Sequence, residues 1–217
     1  MGRLPLLSML CALWPTFGAA CDTALILTVD VSNSVDPGEY RVQADGLADA
    51  LRDPEVIEAM VQNQAAVAVV QWSGFDRQEV TIPWTRIQSA ADVAVLSQQA
   101  RLMPRAFVLS DTAPAEAVYY SLRLFSQVPD CKRKIIDVSG DGTPNSGGEV
   151  RDARRAAEQQ GVTINGIAIE SMGMAITNFF RGAVITRDGF VMTARTHREY
   201  AETLRRKIIR ELSRVIG

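Results

Sequence analysis

The chain has 217 residues, of which 47% are hydrophobic and 22% charged, and its formal net charge is −2. This composition is typical of a globular protein, and the length is sufficient for one α/β domain with a substantial core. The only concentrated basic segment is RRKIIRELSR near the C-terminus, where apolar residues recur at helical spacing. We interpret it as an amphipathic last helix with a solvated basic face, so nucleic-acid binding is not predicted.

The first twenty residues, MGRLPLLSMLCALWPTFGAA, have the layout of a secretory signal peptide. Arg3 is their only charge, an apolar stretch follows, and small residues precede a cleavage point after Ala20. The apolar stretch is short and is interrupted by Ser8 and Pro15, which disfavours a membrane-spanning helix. We therefore predict a signal peptide over residues 1–20 and one exported domain over residues 21–217, periplasmic or secreted, with no membrane span.

The three cysteines indicate one disulfide bond. Cys11 would leave with the signal peptide, so that Cys21 and Cys131 remain together in an oxidising compartment. Cys21 precedes Asp30 by nine residues and Cys131 precedes Asp141 by ten, so the two cysteines would share one end of two neighbouring parallel strands. Two free thiols are one alternative. Lipid anchoring at Cys21 is another, less favoured because residues 18–20 lack the leucine-like residue of a lipoprotein signal.

The first predicted strand, Ala24–Val29, is apolar at consecutive positions, which is typical of a strand covered on both faces of a parallel sheet. It ends at Asp30, in the segment DVSNS. The segment DPGE follows, with Asp36 as N-cap, a proline at the first helical position and Glu39 closing a capping box. This pattern predicts a helix that continues to about Leu51.

The rest of the chain alternates between strand and helix patterns. Strands are predicted at Ala65–Trp72, Glu79–Trp84, Lys134–Ser139, Val162–Ile169 and Gly189–Thr193, and helices at 89–102, 113–125, 149–160 and around 178–181, with the C-terminal helix last. The segment SGFDRQ reads as a hairpin turn, which makes one strand antiparallel. The alternation predicts one doubly wound α/β domain with a mostly parallel six-stranded sheet, one antiparallel edge strand and helices on both faces.

Oxygen-bearing side chains follow two of the predicted strands. Asp30, Ser32 and Ser34 follow the first strand, and Asp141 ends the strand in KRKIIDVSGDG. Thr112 stands at the start of a helix between them. Ligands of doubly wound sheets collect at the carboxyl ends of the strands. Because all five side chains are oxygen donors, they suit a hard cation.

The D-x-S-x-S segment, with the threonine and the second aspartate following in order, resembles the metal-ion-dependent adhesion site of a von Willebrand factor A domain. More narrowly, LTVDVSNSVDPGEYRVQ, VVQWSG, IPWTRI, IDVSGDG and GVTINGIAI resemble a bacterial family of exported A-domain proteins of unassigned function, DUF1194. The resemblance extends over about residues 23–209, nearly all of the predicted mature chain.

This resemblance implies a role for each oxygen donor. Ser32 and Ser34 would bind Mg²⁺ directly, with Mn²⁺ or Ca²⁺ as alternatives, and Thr112 would bind it directly or through water. Asp30 and Asp141 would act through waters and hold the hydroxyl groups in place. The ion would then accept a carboxylate from a partner protein. We expect a monomer that is not an enzyme.

Two other functions remain open from the sequence. One is a Mg²⁺-dependent phosphohydrolase of the haloacid dehalogenase type, although Ser32 stands where its second acid would be needed. The other is a structural scaffold with a vestigial metal site.

Four further polar residues receive structural interpretations. We expect Asp111 to cap the helix after it, with added negative charge at the metal as the alternative, and Asn145 to shape its turn, with a ligand role as the alternative. Asp137 should satisfy a buried hydrogen bond, and His197 should lie at the surface.

Overall fold

The computed structural model describes residues 21–170 and 173–213, so the predicted signal peptide lies outside the described residues. One six-stranded sheet organises the fold, with strand order β3-β2-β1-β4-β5-β6. The strands are β1 Cys21–Asp30, β2 Ala66–Trp72, β3 Gln78–Arg86, β4 Cys131–Gly140, β5 Val162–Ile169 and β6 Val191–Ala194. All neighbouring pairs are parallel except β2 and β3, which are antiparallel. The predicted fold class is therefore confirmed, including the antiparallel edge strand.

Helices cover both faces of the sheet. They are α1 Pro37–Ala50, α2 Pro54–Gln62, α3 Ala90–Leu102, α4 Pro114–Leu124, α5 Val150–Gln159, α6 Ala175–Phe179 and α7 Tyr200–Leu212. One core packs α1, α2, α3 and α7 against one face, and a second core packs α4, α5 and the segment around Phe180 against the other. Apolar side chains project from both faces of the sheet at β1 and β2, and helices cover both faces. Every residue of β2 is therefore buried.

The structure contains one helix that the sequence pattern did not predict. Helix α2 starts as α1 does, with Asp53 as N-cap, accepting hydrogen bonds from the backbone of residues 55 and 56, and a proline at the first helical position. It has only nine residues and follows α1 almost directly, so the sequence pattern did not distinguish it from the connection between α1 and β2. None of the helices in residues 21–170 and 173–213 is long and apolar enough to cross a membrane.

The predicted disulfide bond between Cys21 and Cys131 is present. The two residues are paired in register at the start of β1 and β4, and their Cα atoms lie 4.4 Å apart. Cys21 is 1% exposed and Cys131 4% exposed. The Cys21 sulfur that a lipid anchor would require is therefore committed to the disulfide bond.

The same register fixes the position of the candidate site. Because β1 and β4 are parallel neighbours, with Val29 opposite Ser139, their carboxyl ends reach the same edge of the sheet. Asp30 and Asp141 follow at that edge, at the opposite end of the strand pair from the disulfide bond.

Candidate metal centre

The loop after β1 is folded by its own polar groups. The Asp30 side chain is completely buried, and its Oδ1 accepts a hydrogen bond of 2.8 Å from the backbone N–H of Ser32. The N–H of Val35 donates to the Ser32 carbonyl oxygen, which closes a turn just before the capping box of α1. In this turn the hydroxyl oxygens of Ser32 and Ser34 lie 3.1 Å apart. The D-x-S-x-S segment thus places its two hydroxyl groups side by side.

Asp141 joins this loop from the end of β4. Its Oδ1 accepts a hydrogen bond of 2.5 Å from the Ser34 hydroxyl group, across a separation of 107 residues. Sequentially distant residues therefore meet because the parallel pairing of β1 and β4 brings the two strand ends together.

Thr112 approaches from a third loop, between α3 and α4. It is 5% exposed, its N–H donates to Asn145 Oδ1 at 2.8 Å, and its carbonyl oxygen accepts from the Asn145 N–H at 3.1 Å. A Cβ atom added to Gly142 would lie 3.7 Å from the Ser34 Oγ and 3.8 Å from the Thr112 Oγ1. The absence of a side chain at Gly142 thus keeps open the space that both hydroxyl groups border.

Asn145 links its turn to the Thr112 loop, a contact that the sequence did not predict, and Asp111 does not cap the helix after it. Helix α4 begins at Pro114 after an N-cap at Ala113, which has no side-chain capping bond. The predicted capping role of Asp111 is therefore wrong, because the helix starts two residues too late for that carboxylate to reach its first turn. The Asp111 side chain is exposed instead.

Burial controls the electrostatics of the two acids. It raises the pKa of the Asp30 carboxyl group to about 7, against the opposing effect of the Ser32 hydrogen bonds. Burial also raises the pKa of Asp141, and its hydrogen bond from Ser34 acts in the opposite direction. The Asp30 Oδ2 is buried and has no hydrogen-bond partner among the described residues. A buried acid with one unpartnered oxygen is a group that a nearby cation would stabilise.

Within the described residues, one cationic side chain from the loops, that of Arg105, binds the D-x-S-x-S segment. It contacts backbone carbonyl oxygens of that segment. Its guanidinium group donates to the carbonyl oxygens of Val31 and Ser32 at 2.9 and 3.0 Å. Arg105 therefore holds the backbone of the loop and does not bind the Ser32 or Ser34 hydroxyl group. The resulting donor set, hydroxyl and carboxylate oxygens, is of the kind that Mg²⁺ and similar hard cations prefer.

His197 also reaches this site, which the sequence pattern missed. Its side chain is only 14% exposed, and its Nε2 lies 3.9 Å from the Asp141 Oδ2. The predicted surface position is therefore wrong. The imidazole ring lies in a short 3₁₀ turn, residues 197–199, that follows β6 and leads into α7. No local pattern marks a contact of this kind, because it depends on how β6 and α7 pack beside β4.

Solved structures with the same fold show the class of this domain. The chain resembles proximal thread matrix protein 1 from the mussel byssus with a zinc-occupied MIDAS motif (TM-score 0.66, 20% identity, 88% of this chain and 48% of that chain). It also resembles a von Willebrand factor type A protein from Catenulispora acidiphila (TM-score 0.63, 19% identity, 89% and 43% coverage). A third similar structure is the vWF domain of the pilus tip protein Mfa5 from Porphyromonas gingivalis (TM-score 0.59, 10% identity, 92% and 99% coverage). The fold is that of a von Willebrand factor A domain, and the chain spans about half the length of the mussel protein.

The family follows from the sequence. Residues 20–216 match the model of the protein family of unknown function DUF1194, and this chain belongs to that family. No protein with a curated description matches the chain.

Proposed function

We propose that this protein is an exported, non-enzymatic binding module that holds Mg²⁺ at a metal-ion-dependent adhesion site. The ion would bind a carboxylate group of a partner protein. Ser32 and Ser34 would bind the ion directly, Thr112 directly or through water, and Asp30 and Asp141 through waters.

The observation that carries this proposal is the contact between two separate loops. The hydroxyl groups of Ser32 and Ser34 lie 3.1 Å apart, and the second is hydrogen-bonded to Asp141. Hydroxyl ligands are neutral, so a cation held by them would keep most of its charge. Mg²⁺ favours octahedral coordination and commonly retains waters, one of which a carboxylate from a partner would replace.

The burial of Asp30 argues against the phosphohydrolase alternative. A nucleophilic aspartate must contact its substrate, whereas Asp30 is completely buried and one of its oxygens is engaged by the Ser32 backbone. The side chain two residues later is a serine, so the general acid of that mechanism has no counterpart.

Export is supported by the disulfide bond and by the kind of proteins that share the fold. Disulfide bonds persist in oxidising compartments. Two of the similar structures are a mussel byssus protein and a pilus tip protein, both named for structures outside the cell. The proposal therefore includes a signal peptide over residues 1–20, a periplasmic or secreted location, and a monomer that works through contact with its partner.

Replacing both hydroxyl groups is the first test of the metal site. We expect the Ser32→Ala/Ser34→Ala variant to lose Mg²⁺ binding in titration calorimetry, because two direct ligands are removed, while the unmodified protein binds one equivalent. A matched control is Ser126→Ala/Ser213→Ala, which removes two exposed hydroxyl groups that bond only to the Arg123 and Ile209 carbonyl oxygens and should bind Mg²⁺ normally.

The same variants test the partner. Immobilised protein should retain a partner from the envelope fraction of the source cells in Mg²⁺, and EDTA or the double Ser32/Ser34 variant should abolish that retention. Retention that is unchanged by EDTA would contradict metal-mediated binding. If the unmodified protein bound neither Mg²⁺ nor Mn²⁺, the scaffold alternative would hold.

A further inference from the structure

A second group of metal-ligand side chains lies beside the oxygen site. The imidazole ring of His197, the only histidine of the chain, lies between two carboxylate groups. Its Nδ1 lies 3.2 Å from Glu39 Oε1, and its Nε2 lies 3.9 Å from Asp141 Oδ2. One ligand atom of each of these three residues lies within 4.8 Å of those of the other two.

Both carboxylate groups are held in place by their other oxygen atom. Glu39 Oε2 accepts a hydrogen bond of 2.8 Å from the backbone N–H of Asp36, as the second half of the α1 capping box. Asp141 Oδ1 accepts the Ser34 hydroxyl group. The free oxygen of each carboxylate is therefore directed towards the imidazole by bonds that do not involve the histidine.

One nitrogen of the His197 ring, Nε2, is buried and has no hydrogen-bond partner within the described residues. In the tautomer that donates Nδ1–H to Glu39, this Nε2 would carry the lone pair that a metal ion requires. It faces the electron-rich Oδ2 of Asp141. A metal ion between these two atoms would bind both. A metal-bound histidine whose other N–H is held by a carboxylate is a recurrent arrangement in metalloproteins.

Space for the remaining ligands is available. Glu39, Asp141 and His197 line a cleft of about 620 Å³ that is also bordered by Ser34 and Thr196. Waters in this cleft would complete the coordination of an ion that has few protein ligands. One imidazole nitrogen with carboxylate oxygens suits Zn²⁺ or a similar transition metal, whereas the neighbouring hydroxyl site suits Mg²⁺.

We propose that His197 Nε2 and Asp141 Oδ2 bind a second divalent cation of the Zn²⁺ class, with Glu39 orienting the imidazole ring through its Oε1. Asp141 then serves both sites, through Oδ1 towards Ser34 and through Oδ2 towards the second ion. This site is separate from the proposed adhesion function, which does not require it.

The test uses the single histidine as a spectroscopic probe. In the tag-free, ¹⁵N-labelled protein, we expect titration with ZnCl₂ in the presence of excess MgCl₂ to shift the ¹⁵N signal of His197 Nε2 and to saturate at one equivalent. The Nδ1 signal should remain that of a protonated nitrogen. If the ring instead lies between the two carboxylates as an imidazolium ion, stoichiometric zinc will leave both ring nitrogens unchanged, and the proposal is overturned.

Variants separate this site from the first one. His197→Gln should bind one zinc equivalent fewer than the unmodified protein by calorimetry while its Mg²⁺ binding persists. In Ser32→Ala, which keeps the Ser34 hydrogen bond to Asp141, the zinc-induced shift of His197 should persist although Mg²⁺ binding is weakened. The control Arg198→Gln changes an exposed side chain of the same cleft and should leave both metals unaffected. An unchanged zinc stoichiometry in His197→Gln would refute the second site and leave the adhesion proposal intact.

Discussion

Replacing Lys207 with methionine is expected to lower the free energy of unfolding by about 3–5 kcal/mol, the usual cost of removing one partner from a buried ion pair. Lys207 is completely buried between α7 and the sheet, and its Nζ lies 2.7 Å from Asp137 Oδ1. The same ammonium group donates to Glu211 Oε1, which also accepts a hydrogen bond of 2.8 Å from Asn165 Nδ2. The substitution would leave two buried acids with no cation.

The loss of stability in Lys207→Met should depend on pH, because the substitution leaves the buried Asp137 without its cation. Burial raises the pKa of Asp137 to about 7, Lys207 opposes that shift and Glu211 adds to it. A raised pKa in the folded state means that the stability contributed by protonating the acid is present at low pH and is lost as the pH rises through the folded pKa. Without the lysine the pKa of Asp137 rises further, so the deficit of Lys207→Met should be smaller at pH 5 than at pH 8.

Urea denaturation at both pH values measures this effect, and the neighbouring residue supplies the control. Arg206 lies on the same helix with its side chain 55% exposed, paired with Glu202 at 3.5 Å. Arg206→Met should therefore change stability by less than about 1 kcal/mol. Equal losses for the two variants would show that the buried cluster does not hold α7 against the sheet as described.

Removal of the disulfide bond is the second change with a large expected effect. Cys21→Ala/Cys131→Ala should lower the free energy of unfolding by about 2–5 kcal/mol, because the bond closes a long loop and so restricts the unfolded chain. The two cysteines are 110 residues apart in sequence. Alanine is chosen because both positions are buried and a serine hydroxyl group would add its own desolvation cost.

Denaturation with and without dithiothreitol checks this prediction. The reductant should destabilise the unmodified protein by about the same amount as the double substitution and should have no effect on the double variant. If the free energy of unfolding fell by well under about 1 kcal/mol in both experiments, the prediction would be wrong. The backbone hydrogen bonds and core packing of β1 and β4 would then be sufficient to hold the pair together.

The fold was accessible from the sequence because its signals are local. Consecutive apolar residues in Ala24–Val29 and Lys134–Ser139 mark strands covered on both faces, and the capping box at residues 36–39 marks the start of α1. The disulfide bond was also predictable, since counting back from Asp30 and Asp141 aligns the two cysteines. By contrast, α2 was missed because a nine-residue helix directly after another leaves little periodicity to detect.

The sequence pattern could not reveal contacts between distant polar residues. Lys207 was assigned to a solvated basic face, which is wrong, because Asp137 on β4 supplies the charged partner that allows its burial. Asp137 is buried and structural, as predicted, but the sequence did not reveal that its partner is the Lys207 ammonium group. His197 reaches Asp141 only through the packing of the 3₁₀ turn after β6. Each of these contacts joins segments separated by tens of residues.

The most direct test of the adhesion site is the position of a bound ion. Crystals soaked in MnCl₂, which provides an anomalous signal in place of Mg²⁺, should show a peak within coordination distance of the Ser32 and Ser34 hydroxyl oxygens. Thr112 and Asp141 should be near enough to bind the ion directly or through one water, with a water ligand facing solvent. No peak between the two serines, or an ion there that Thr112 and Asp141 cannot reach, would contradict the proposed function.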